Sequence, residues 1–150
     1  MRDLCPKQGE GSQTLQTGLR ALAQAQALYR QSILRLVQDA LPVARENLAG
    51  TSLAPLAEYL YATSSFVLGS SQDAKVALRR VVEQWPSTHP TVAARAYSVL
   101  GSIAIREREI DLAISYFERG LDSIGSGADP ELSVRHMALT AEALARNGRI

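Results

Sequence analysis

Apolar residues recur through most of the chain at alternating intervals of four and three positions, a spacing that places them on one face of an α-helix. The first run covers residues 15–40 and predicts one long amphipathic helix. Pro42 lacks an amide donor and crowds the preceding turn, so the residues up to Leu48 either continue this helix after a kink or form a short separate one. The pattern predicts a flexible segment over 1–12 and a long N-terminal helix within 13–48.

Two further stretches are each typical of two helices joined by a tight turn. Residues 52–86 contain two apolar helical runs on either side of Gly69, and residues 90–125 repeat this arrangement around a short polar segment. A last helix is predicted over 129–148. Because Ala, Leu, Gln, Arg and Glu favour helix, we predict an all-α fold, with residues 13–150 forming a single domain.

The two predicted hairpins share an internal repeat. The positions that correspond between them are Gly69, Ala74, Leu78, Val81 and Pro86 in the first and Arg108, Ala113, Phe117, Gly120 and Gly125 in the second. One hairpin cannot bury both of its faces alone, so a repeat of this kind predicts hairpins that stack on one another.

The second hairpin resembles a tetratricopeptide repeat. Tyr97, Leu100 and Gly101 match the aromatic-x-x-Leu-Gly pattern of the family's first helix, and Ala113 with Phe117 matches its second-helix signature. The resemblance extends from about position 52 to the end of the chain, with the last helix as half a repeat. It implies antiparallel hairpins stacked as a short right-handed superhelix, with the long N-terminal helix packed on the first hairpin as a cap.

In tetratricopeptide folds the first helix of each pair lines a concave groove that binds a partner polypeptide. The resemblance assigns to this groove Tyr59, Thr63, Phe66, Arg95, Arg106, Arg135 and Arg146. Guanidinium groups pair with carboxylates, so the expected partner is another protein or a peptide that is acidic or carries a free carboxylate. The aromatic residues make the other end of the groove apolar and suited to a hydrophobic anchor. The alternative is that the arginines are solvated or paired with nearby glutamates.

Charge and cysteine content restrict the other classes of function. Sixteen Lys and Arg residues against fifteen Asp and Glu give a formal net charge of +1, which argues against nucleic acid as the main partner. No stretch of eighteen apolar residues occurs, so membrane insertion is not expected. The single cysteine, Cys5, cannot close an intramolecular disulfide, and together with the polar N-terminus it favours the cytoplasm.

The residue types that carry catalysis are scattered. His89 and His136 lie far apart in sequence, no metal-ligand spacing occurs, and Cys5 reads as an ordinary exposed thiol. We therefore expect no enzyme activity, no catalytic residue, no metal site and no cofactor.

Two hypotheses for function follow. The first is a scaffold, adaptor or chaperone-like module that binds a partner polypeptide in the groove. The second is a structural or self-associating subunit, in a homo- or hetero-oligomer, that uses the stripe over 15–40 and the incomplete last repeat, where Met137, Leu139 and Leu144 provide apolar surface. A helical fragment of a longer repeat protein is a third interpretation.

Overall fold

The computed structural model describes residues 8–85, 89–125, 130–146 and 148. These residues form seven α-helices and no β-strand, which confirms the all-α prediction. The helices are α1 (Gln8–Arg30), α2 (Leu34–Asn47), α3 (Ala54–Val67), α4 (Ser71–Gln84), α5 (Pro90–Arg106), α6 (Ile110–Ile124) and α7 (Pro130–Arg146).

The helices stack in chain order and form two layers. Each helix packs against its neighbours in sequence, most extensively within the pairs α1–α2, α3–α4 and α5–α6. The odd-numbered helices also touch one another from pair to pair, whereas no such contact joins the even-numbered helices of the described chain. The odd-numbered helices therefore form one layer and the even-numbered helices form the other.

The N-terminal region differs from its prediction. In place of one long helix within 13–48, the chain forms α1 and α2, which are separated at residues 31–33. An unbroken helix would have left its apolar stripe exposed, whereas the break lets Ala25 of α1 pack in one core cluster with Val37 and Leu41 of α2. Pro42, where a kink was expected, lies inside α2 without interrupting it.

The predicted flexible segment over 1–12 is also partly wrong, because residues 8–12 belong to α1. The rest of that segment, with Cys5, lies outside the described residues. Positions 86, 129 and 147, which fall within the predicted hairpins and last helix, also lie outside the described residues. The other predicted limits agree with the bounds of α3 to α7 to within a few residues.

The turns inside the three hairpins share one geometry. Ser32, Gly69 and Arg108 each have a positive φ, of 59°, 98° and 64°. In every case the amide of this residue donates to the carbonyl three positions back and the next amide donates to the carbonyl five positions back, at 2.8–3.1 Å. This is the Schellman motif. Gly148, with φ 70°, follows α7 and donates to the carbonyl of Ala145 in the same way. By this criterion α1–α2 is a hairpin as well, and the turn residue after α7 resembles the one that follows the first helix of each hairpin.

In each hairpin, a large apolar residue at the same position of the second helix fixes the packing of the two helices. Counted from the turn residue, it is Leu41 in α2, Leu78 in α4 and Phe117 in α6, and all three side chains are fully buried. In the third hairpin the partner position on the first helix is Gly101, where a Cβ atom would overlap the Phe117 ring. A large side chain against a small one allows the two helices to approach closely.

Candidate functional site

An open groove of about 490 Å³ lies along the layer of odd-numbered helices. Its walls are formed by Gln26, Tyr29, Arg30, Leu56, Tyr59, Leu60, Thr63, Phe66, Val67, Arg95, Ser98, Val99, Ser102 and Arg135. α1, α3 and α5 supply most of this surface, and α7 supplies Arg135.

The repeat explains why these side chains share one surface. Positions at a fixed distance before the turn residue face the groove in successive helices. Three sets of wall residues are equivalent in this sense. The first set is Tyr29 and Phe66, the second is Gln26, Thr63 and Ser102, and the third is Leu56, Arg95 and Arg135. Because every hairpin has the same turn geometry, the same helical face is presented each time.

Five of the seven predicted groove residues line this cavity. Tyr59, Thr63 and Phe66 come from α3, Arg95 comes from α5 and Arg135 comes from α7. The structure thus brings together an aromatic group and two cations from three different helices.

The other two predicted groove residues lie outside the cavity walls. The guanidinium of Arg106 lies over the Phe66 ring, 4.9 Å from its centroid, so it borders the groove through a cation–π contact. Arg146 instead forms an ion pair with Glu142 at 2.6 Å on the exposed surface of α7. Pairing with a nearby glutamate, the alternative for these arginines, is therefore observed at Arg146.

The charge on the groove walls is all of one sign. Arg30, Arg95 and Arg135 line the cavity, and no carboxylate does. Outside the groove walls, Arg45 pairs with Glu58 at 2.9 Å and Lys75 pairs with Glu107 at 2.9 Å. Over the described ranges, Arg30, Arg95 and Arg135 are in no ion pair. The groove therefore presents three arginines next to aromatic surface, and Glu131 lines an adjoining cavity together with Arg95 and Arg135.

Tyr59 lies at the centre of this arrangement. Burial raises the pKa of its hydroxyl and the neighbouring Tyr29 adds to this, while the positive charges of Arg95 and Arg135 act to lower it. Both arginines are thus close enough to the Tyr59 hydroxyl to influence its ionisation, although they lie on different helices.

His136 holds α7, and with it Arg135, against α6. The His136 side chain is fully buried, and its ring meets Phe117 edge-on at 6.4 Å between centroids. Gly120 makes room for the ring, because a Cβ atom there would overlap it. Neither ring nitrogen has a hydrogen-bond partner in the part of the chain that is described. Burial lowers the pKa of His136, and the carbonyls of Ala94 and Phe117 partly oppose this effect.

The contribution of α1 to the groove was not predicted. Gln26, Tyr29 and Arg30 were overlooked because the N-terminal region was interpreted as one helix outside the repeat. The sequence carried a sign that α1 and α2 belong to the repeat, since Ala25 and Leu41 have the same separation as Ala62 of α3 and Leu78 of α4.

The described ranges contain no cluster of three or more His, Cys, Asp or Glu side chains that could hold a metal ion. Among the helices in these ranges, none combines the length and the apolar composition needed to cross a bilayer. No protein-family model and no curated protein matches this chain. The fold and the groove are therefore the basis for the functional proposal.

Proposed function

We propose that this protein is a tetratricopeptide-like interaction scaffold, an adaptor or chaperone-like module that binds a segment of a partner protein along the odd-numbered helices. The observation that carries the proposal is the groove with three arginines, no carboxylate and adjoining aromatic residues. The shared turns of the hairpins support the family assignment.

The arrangement of the groove favours a particular kind of partner segment. Arg95 and Arg135 belong to successive first helices and both act on Tyr59, so a carboxylate of the partner can lie between them and receive charge-assisted hydrogen bonds. Toward α1, Tyr29, Leu56 and Phe66 offer apolar and aromatic surface for a hydrophobic side chain. A short peptide with one large apolar residue and a carboxylate matches both the aromatic end and the arginine end of the groove.

Charge reversal tests this proposal. The probe is a labelled peptide with a central phenylalanine, two aspartates and a free C-terminal carboxylate, and binding is followed by fluorescence anisotropy. We expect the Arg95→Glu, Arg135→Glu double variant to weaken binding at least about tenfold, because it replaces two attractive contacts by two repulsive ones.

A matched control separates the groove from net charge. The Arg79→Glu, Arg119→Glu double variant makes the same change in charge at two exposed positions on the even-numbered helices. It is expected to retain wild-type affinity at physiological ionic strength, where distant charges are screened. Equal weakening by both double variants, or equal wild-type binding of a peptide with lysines in place of the aspartates, would contradict the proposal.

The proposal includes a cytoplasmic location and the absence of catalytic activity. The single cysteine, which cannot close an intramolecular disulfide, supports the first. For the second, the two histidines support a structural interpretation, since His136 is buried in the α6–α7 contact and His89 directly precedes α5.

A further inference from the structure

Next to the groove, residues of α5 and α7 line a smaller cavity of about 170 Å³ that contains both signs of charge. Its walls are formed by Arg95, Glu131, Leu132 and Arg135. Glu131 precedes Arg135 by four positions on α7, a spacing that places two side chains on one face of a helix. The place where the two arginines converge therefore also holds a carboxylate. We call the charged residues Arg95, Glu131 and Arg135 together the arginine subsite.

The neutral polar groups beside the arginine subsite are hydroxyls. Tyr59 of α3 and Ser98 of α5 line a narrow cleft together with Arg95 and Arg135. Burial raises the pKa of the Tyr59 hydroxyl, so this group stays protonated at neutral pH and can donate a hydrogen bond to a bound anion. Such hydroxyls position an anion without adding charge. The charge that can be balanced here is therefore set by the two arginines and Glu131.

The arginine subsite carries a single net positive charge, because the Glu131 carboxylate offsets one of the two guanidinium groups. Arg30, the third arginine of the groove, belongs to α1 and does not line this cavity. A carboxylate carries one negative charge at neutral pH, whereas a phosphorylated side chain carries about 1.5 to 2. A bound carboxylate thus balances the subsite, and the additional charge of a phosphate faces Glu131 with no further cation in the cavity to offset it.

We propose that Glu131 determines the specificity of the arginine subsite, which binds a carboxylate of the partner segment in preference to a phosphate group. Like charges within one small cavity repel enough to change affinity severalfold, even close to water. The inference rests on the proposed function, because it requires the partner to bind at Arg95 and Arg135. It adds the residue that distinguishes a singly charged anion from a doubly charged one.

Three labelled peptides test the proposal by fluorescence anisotropy. All have a central phenylalanine and differ in their single anionic group, which is an aspartate side chain, a phosphoserine at the same position, or a free C-terminal carboxylate. The aspartate and phosphoserine peptides are amidated at the C-terminus, and the third peptide has asparagine at the variable position. At about pH 7.5 phosphoserine is close to doubly charged. Whichever carboxylate peptide binds more tightly identifies the source of the carboxylate.

The measured quantity is the ratio of two dissociation constants, that of the phosphoserine peptide over that of the tighter carboxylate peptide. The wild type is expected to bind the carboxylate peptide at least about threefold more tightly. Glu131→Gln removes the negative charge with little change in shape, and it is expected to shift the ratio at least about threefold toward the phosphoserine peptide. Glu131 is exposed in the first turn of α7, so the substitution disturbs no buried contact.

Two variants serve as controls. Glu131→Asp keeps the charge and is expected to retain a ratio close to that of the wild type. Glu83→Gln removes an exposed carboxylate from α4, in the other layer of helices, and is expected to retain the wild-type ratio as well. Because each ratio compares two peptides on one protein sample, any effect of a substitution on the folded fraction cancels.

Two results would overturn the proposal. One is a wild type that binds the phosphoserine peptide as tightly as, or more tightly than, both carboxylate peptides, and the other is a Glu131→Gln variant with the wild-type ratio. Failure of the proposed function gives a different result, in which the Arg95→Glu, Arg135→Glu double variant binds the carboxylate peptides as tightly as the wild type does. The groove would then not be the binding site, and the role of Glu131 would be wrong with it.

Discussion

Two glycines inside helices determine how closely the last three helices approach. Gly101 is in α5 and Gly120 is in α6, positions where glycine weakens a helix by about 1 kcal/mol relative to alanine. Each lies under a ring, Phe117 in one case and His136 in the other. The local cost in helix propensity is offset by the burial of a ring in a close helix–helix contact.

Alanine substitution at these glycines separates the effect of helix propensity from the effect of close packing under a ring. Gly101→Ala and Gly120→Ala are each expected to lower the free energy of unfolding by about 1–3 kcal/mol, because the new methyl group overlaps a buried ring. Gly11→Ala in α1 has open space around its Cβ position and is expected to raise the free energy by about 0.5–1 kcal/mol through helix propensity. Urea denaturation followed by circular dichroism measures all three, and stabilisation by Gly120→Ala would contradict the assigned packing.

The buried imidazole of His136 makes stability depend on pH. Its pKa is lowered in the folded state, chiefly by burial, below the unfolded value of about 6.5. The unfolded state therefore binds the proton more readily, so stability is full above about pH 6.5 and decreases as the pH falls through the folded pKa. We expect the free energy of unfolding to fall from pH 7 to pH 5 by more than the carboxyl groups alone would cause.

The variant His136→Leu isolates this contribution, since leucine has a similar volume and no titrating group. It is expected to show a smaller loss of stability between pH 7 and pH 5 in urea titrations. The control is His89→Asn, which changes the other histidine, at the start of α5, and is expected to retain the wild-type loss. Parallel pH profiles for wild type and His136→Leu would show that His136 is not the group responsible.

At the scale of helices, the sequence predicted most boundaries because local signals mark them. Gly69 and Pro90 have strong backbone preferences, and the helices around them were predicted to within a few residues. The break between α1 and α2 has no such signal. Ser32 takes a left-handed conformation that serine rarely adopts, and it does so because the packing of α2 against α1 requires a turn there.

The groove was predictable in its helical face but not in its detailed contacts. The resemblance to tetratricopeptide repeats assigned Arg95 and Arg135 to the groove, and both line the cavity. The ion pair of Arg146 with Glu142 and the position of Arg106 over Phe66 depend on side-chain conformation, which a pattern of residue types does not determine. The position in α3 equivalent to Arg95 is Leu56, so the choice of Tyr59 as a groove position did not follow the repeat that aligns Gly69 with Arg108, although Tyr59 also lines the cavity.

At the scale of the whole molecule, the stability of each hairpin depends on its neighbours along the stack. α3, α4 and α5 each pack against helices on both sides, whereas α7 contacts α5 and α6 alone in the described structure. In a linear array, a terminal unit with one interface opens at lower free energy than an internal unit with two. In the described structure, α7 is therefore expected to open at lower free energy than α3, α4 and α5.

Native-state hydrogen exchange followed by mass spectrometry measures this gradient. Amides of α7 should exchange through an opening free energy at least about 1 kcal/mol below that of α4, because in the described structure α7 packs against α5 and α6 alone, whereas α4 lies between two neighbours. Equal protection of α7 and α4 would contradict a stack held together by neighbour contacts, because the difference in the number of packed neighbours would then have no energetic consequence.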